Sequence, residues 1–138
     1  MRVFLDANIL FSASFSKSQI RQMLDGLATV AELVTSSHAV EEARRNLSVK
    51  KPANLPELES FLIVVRIFAV DAFEIEVDLA QKDIPILCGA IASKSDYLLT
   101  GDKKDFGPLF GKIIGDVKIV SVELLLADLI ARGIASES

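Results

Sequence analysis

Short apolar runs alternate with segments of helical spacing along this chain, and few folds accept that alternation. Val3-Phe4-Leu5 stops at Asp6, Leu33-Val34-Thr35 at Ser36, Tyr97-Leu98-Leu99 at Thr100, and Lys118-Ile119-Val120 at Ser121. Each run is too short for a stable helix, and each reads as a buried strand. Between them, apolar positions recur at three- and four-residue spacing, as at Ile20, Met23, Leu24 and Leu27. The spacing and cap residues predict helices over 18–27, 38–49 (capped by Ser37), 56–65, 84–94 (capped by Asp83, with Pro85 in the first turn) and 122–132 (capped by Ser121). Residues 67–70 read as a further strand, and the two prolines within 50–56 mark a helix–helix connection. Strands alternating with helices imply an α/β chain: a three-layer α/β/α sandwich around a mostly parallel sheet of about five strands.

The 138 residues make one domain, and 51% hydrophobic content is far from a disordered composition. The longest apolar stretch, 61–70, is broken by Arg66 and too short to span a bilayer. The N-terminus reaches Asp6 too early for a signal peptide, and the single cysteine, Cys88, rules out an internal disulfide. A reducing cytoplasm and no membrane attachment are therefore expected. Net charge is −4 and the pI about 5.0, which argues against holding nucleic acid by bulk electrostatics. It leaves room for a nucleic-acid enzyme whose negative charge is concentrated at a metal site. The mean hydropathy of +0.41 predicts an extra apolar surface patch, covered in a homodimer or by a partner.

The acids fall where a parallel sheet forms its sites, beyond the carboxyl ends of strands. Asp6 follows the first strand, Asp102 lies just past the Tyr97 strand, and Asp83 opens the helix that leads into that strand. Alone, Asp83 reads equally well as a helix cap, and Glu41 and Glu42 as surface acids of a first helical turn. Together they form a set of hard oxygen donors suited to Mg²⁺ or Mn²⁺. No His/Cys cluster offers a zinc site, since His38 is the one histidine, and no glycine-rich phosphate loop occurs. Asn8, Ser36 and Thr100 are candidate supporting groups, and each reads equally as a turn or cap residue. Lys103 and Lys104 flank Asp102, while Arg44, Arg45, Lys50 and Lys51 form a second basic group.

Three segments resemble the PIN-domain family, which includes VapC-type toxins. Val3-Phe4-Leu5-Asp6-Ala7-Asn8-Ile9-Leu10 is similar to its opening motif, and Thr35-Ser36-Ser37 with Glu41-Glu42-Ala43 to its second. Tyr97-Leu98-Leu99-Thr100-Gly101-Asp102-Lys103-Lys104-Asp105-Phe106 is similar to its most specific segment. The resemblance covers about residues 1–125. It implies a metal-dependent ribonuclease with Asp6, Glu42, Asp83 and Asp102 as catalytic metal ligands and Asp105 as a possible extra. By offset from Ser36, Glu42 matches better than Glu41, although helical phase does not separate them. Asn8, Ser36 and Thr100 become supporting residues, and Lys103, Lys104 and Arg45 contacts to an RNA substrate. An antitoxin protein becomes a possible partner. Lys82-Asp83-Ile84-Pro85-Ile86-Leu87 departs from the commoner family pattern and resembles a subgroup of PIN-like toxins. Two other readings stand: a catalytically silent PIN fold that binds partners, and a phosphatase of the haloacid dehalogenase type. The second wants Asp-x-Asp after strand one, where this chain has Asp6-Ala7-Asn8.

Overall fold

In the computed structural model, which describes residues 1–135, strands β1 (Arg2–Leu5), β2 (Glu32–Ser36), β3 (Val65–Phe68), β4 (Tyr97–Leu99), β5 (Ile113–Ile114) and β6 (Val117–Val120) form one sheet in the order β3-β2-β1-β4-β6-β5. Every pairing is parallel except β5 with β6. The central strands are buried along nearly their whole length, so their continuous apolar runs are what a doubly covered sheet requires.

The chain winds from β1 outward to β3, then returns to β4 on the other side of β1. The order therefore reverses between β1 and β4, and a crevice opens there at the carboxyl ends. Helices α1 (Ala7–Ala13), α2 (Gln19–Leu27), α3 (Ser37–Lys50) and α4 (Leu55–Leu62) fill the outward crossovers, and α5 (Ile84–Ala92) fills the return. Right-handed crossovers travelling in opposite directions lie on opposite faces, which gives the three layers expected. On the α5 face the Phe4 ring lies against Gly89, where a Cβ would sit 2.9 Å from the ring. That glycine lets α5 approach the sheet. The last helix, α6 (Val122–Ala131), runs beside α2 and joins it in lining an apolar groove of about 280 Å³.

Several expectations change. The sheet has six strands instead of about five. The added strand is β5, which pairs with the expected β6 in a hairpin turning through Gly115 and Asp116, both at positive φ (55° and 67°), the backbone of a type I′ turn. Ser36, not Ser37, caps α3: its Oγ accepts from the Ala39 N–H at 3.2 Å. Strand β3 begins at Val65, earlier than expected, because α4 ends at Leu62 and leaves Ile63 and Val64 exposed. Helix α1 was not foreseen. Among the described residues no helix is long and apolar enough to cross a membrane.

Candidate metal centre

Asp6 continues β1 into the crevice: its N–H donates to the Leu99 carbonyl of β4 at 3.1 Å. The same residue caps α1, with Oδ1 accepting from the Ala7 N–H at 2.6 Å. Its other oxygen accepts from the Thr100 hydroxyl at 2.7 Å and the Asn8 amide at 3.2 Å. Asp6 is almost fully buried, and that burial pushes its carboxyl up to about 6, against the Thr100 and Ala7 hydrogen bonds and with help from the charges of Glu42 and Asp102.

Around this acid the loop after β4 is built by hydrogen bonds. The Gly101 N–H donates to Asn8 Oδ1 at 2.8 Å, and the Asp102 N–H donates to Thr100 Oγ1 at 3.1 Å. Asn8 and Thr100 thus tie the ends of β1 and β4 together. Asp102 Oδ1 in turn accepts from the Asp105 N–H at 3.0 Å, closing a turn that brings Asp105 back to the rim.

Asp83 arrives from the far side, at the end of a short 3₁₀ turn (Gln81–Asp83) that runs into α5. It occupies the capping position of α5 yet makes no side-chain cap bond. Among the described residues its Oδ2 is buried without a hydrogen-bond partner. An orphaned buried oxygen carries a desolvation cost that a cap would have relieved, so the capping reading of Asp83 fails. Burial pushes this carboxyl too up to about 6, opposed by Lys82 and reinforced by Asp105, Asp102 and Asp6.

One oxygen each from Asp83, Asp102 and Asp105 lies within 4.8 Å of the others. Asp6 stands outside that tight group but feels the charge of Asp102 and acts on Asp83, and Glu42 in turn acts on Asp6. Of the two candidate glutamates, Glu42 is the one that acts on Asp6; Glu41 is exposed and faces Arg44 in a groove toward Ile67. Ser36 Oγ serves as the α3 cap, and among the described residues its hydroxyl makes no bond to a carboxylate. Lys103 and Lys104 are exposed on the turn after Asp102. Arg45 faces the α3–α4 groove with Glu41, Arg44, Ser48, Leu55 and Glu59.

Two contributing residues escaped the sequence reading. Thr35 is buried and donates its hydroxyl to the Leu5 carbonyl at 2.7 Å, fixing the last residue of β1 before Asp6. Lys82 reaches Asp105, Nζ to Oδ2 at 3.0 Å, and its ammonium holds the Asp105 carboxyl below the usual carboxylate range. A lysine next to a candidate acid was the only signal for it.

No family model and no curated protein matches the sequence. Solved structures do match in shape. A chain of VapBC2 from Rickettsia felis, in a crystal structure bound to a DNA fragment from the promoter, superposes with a TM-score of 0.66 and 23% identity, covering 88% of this chain and 98% of that one. A chain of VapBC-1 from nontypeable Haemophilus influenzae gives a TM-score of 0.56 and 16% identity over the same shares. The fold is a PIN-domain fold. At these identities the match speaks for the architecture, and what the acids do rests on their own geometry.

Proposed function

We propose that the chain is a divalent-metal-dependent endoribonuclease, the toxin of a toxin–antitoxin pair. The observation that carries this is the orphaned Oδ2 of Asp83, which clusters with Asp102 and Asp105 from the loop after β4 and feels the charge of Asp6 at the switch point of the sheet. A divalent cation supplies what that oxygen lacks, and it offsets the burial that, with smaller help from neighbouring carboxylates, pushes Asp6 and Asp83 up to about 6. An all-carboxylate donor set suits Mg²⁺ or Mn²⁺ and no softer metal.

In this reading Asp83, Asp102 and Asp105 hold the ion, with Asp6 and Glu42 completing its surroundings. When bound, a divalent ion supplies a low-pKa water and charge neutralisation for phosphoryl displacement. The chain's own residues orient the site. Thr100 and the Ala7 N–H fix both oxygens of Asp6, and Asn8 and Thr100 fix the Gly101–Asp102 backbone. Such groups are already in place before substrate arrives, which is where preorganised sites gain rate. Lys103 and Lys104 meet the phosphates of a bound RNA beside the acids, and Arg45 extends the cationic surface along α3.

The resemblance to VapC-type toxins, and the VapBC origin of both matched chains, support an antitoxin partner. The groove between α2 and α6, lined by Met23, Leu27, Val30, Leu126, Leu129 and Ile134, supports a covered apolar surface in a homodimer.

The test is incubation of the purified chain with a mixed, structured RNA in Mn²⁺, Mg²⁺ or EDTA, with wild type beside Asp102→Asn. The expected result is internal cleavage that needs metal and disappears in the variant. Equal cleavage by both proteins, or cleavage in EDTA, overturns the assignment. Metal binding without any cleavage points to a PIN fold kept for partner binding.

A further inference from the structure

Lys82 lies on the 3₁₀ turn just before Asp83, with a side chain 72% exposed. An exposed lysine on such a turn has many solvent-facing rotamers open to it. This one reaches back across the rim, Nζ to Asp105 Oδ2 at 3.0 Å. Because Asp105 shares a 4.8 Å cluster with Asp83 and Asp102, the ammonium stands against three carboxylates at once. Among the described residues it is the one lysine ion-paired to that cluster. Lys103 and Lys104, adjacent to the same acids in sequence, make no such pair.

A tethered ammonium and a divalent cation draw on the same Asp105 carboxylate and repel each other there. We propose that Lys82 is a built-in counter-ion that competes with the divalent cation for Asp105 and so sets the cation concentration at which the site fills. This rests on the metal-site reading given above. At low cation concentration the Lys82 ammonium partly neutralises the rim and Asp105 is turned to it. As the cation binds, Asp105 passes from Lys82 to the ion and the ammonium moves off to solvent. Giving up the attraction between an ammonium and a carboxylate 3.0 Å apart in water corresponds to roughly a tenfold change in affinity. That is the penalty that Lys82 imposes on cation binding.

The experiment is a Mn²⁺ titration followed by electron paramagnetic resonance, without RNA, on wild type, Lys82→Met, Lys82→Arg, Asp105→Asn and the double variant Lys82→Met/Asp105→Asn. Circular dichroism melts confirm folding, which the exposure of Lys82 favours. Lys82→Met is expected to bind Mn²⁺ about tenfold more tightly than wild type, and Lys82→Arg, which keeps the charge, within about twofold of it. In the Asp105→Asn background the gain from Lys82→Met is expected to shrink below about threefold. Unchanged or weaker binding by Lys82→Met overturns the proposal, as does a full gain in the Asp105→Asn background. A wild-type chain that takes up no Mn²⁺ at millimolar concentration overturns the metal reading itself, and this inference with it.

Discussion

Replacing Asp6 by Asn separates charge from shape at the centre of the rim, and its effect on stability changes sign with pH. The folded chain holds the Asp6 proton up to about pH 6, against an ordinary value of 3.8. Two units correspond to roughly 3 kcal/mol. Because the folded-state value is raised, the folded protein binds the proton more tightly than the unfolded chain does. Stability is therefore full below about pH 4, falls between pH 4 and 6, and is lower by about 3 kcal/mol above that window when no metal is present. Asn carries no charge and escapes this loss. Its oxygen can accept from the Ala7 N–H as the carboxylate does, since Asn and Asp cap helices about equally well. Its nitrogen replaces the oxygen that accepts from Thr100 and Asn8. The Thr100 hydroxyl can rotate to accept, whereas the Asn8 amide cannot donate to another N–H and loses a bond worth about 1 kcal/mol. In EDTA, Asp6→Asn is thus expected to stabilise by about 2 kcal/mol at pH 8 and to destabilise by about 1 kcal/mol at pH 4. Urea unfolding followed by circular dichroism at pH 4, 6 and 8 measures this directly. Asp83 titrates in the same window, and because Asp6 is the smallest of the named causes of its shift, its contribution is nearly the same in both proteins. An equal destabilisation at every pH would refute the reasoning and leave Asp6 as a structural cap only.

Thr100→Val removes the hydroxyl that donates to Asp6 and accepts from the Asp102 N–H, so the Asp6 carboxyl should rise above 6 and stability fall by about 1–3 kcal/mol; NMR titration of the Asp6 carboxyl and a urea melt check both. Gly89→Ala places a Cβ 2.9 Å from the Phe4 ring; overpacking of about 1–3 kcal/mol outweighs the ~1 kcal/mol helix-propensity gain, and Phe4→Leu in the same chain should recover part of the loss in unfolding midpoint. The groove beside Val30 and Ile134, which are 53% and 40% exposed, should be covered by self-association. Light scattering after size exclusion is expected to give a dimer mass, and a monomer at high concentration that binds no hydrophobic dye contradicts it.

The parts of the fold readable from sequence were those where one signal stood alone. Val3-Phe4-Leu5 and Tyr97-Leu98-Leu99 are wholly apolar, and each stops at a polar residue, so the two central strands and the acids beyond them were legible. Helix α1 was not, because Asp6 serves as its cap and as a site acid, and the chain turns from strand to helix without a glycine or proline to mark it. Burial misled at Ile63 and Val64: both are apolar, yet they lie exposed on the turn into β3. The hairpin was legible in principle, since Gly115-Asp116 between Ile113-Ile114 and Val117-Lys118-Ile119-Val120 is a two-residue turn signal. Its strand β5 has only two residues, too few for any periodicity. At the site, helical phase could not separate Glu41 from Glu42, because the choice depends on which side of α3 faces β1. The Lys82–Asp105 pair spans 23 residues and is set by the approach of α5 to the β4 loop, which no local pattern records.

The central claim is that these acids form one divalent-cation site at the β1–β4 switch point. A crystal grown or soaked in Mn²⁺ and measured for anomalous scattering tests it most directly. The account predicts an anomalous peak with Asp102 and Asp83 oxygens at about 2.1 Å, as expected for a small hard cation, and Asp105 turned from Lys82 toward it. A saturated crystal with no peak at the rim, or with its only ordered Mn²⁺ on other residues, would contradict it.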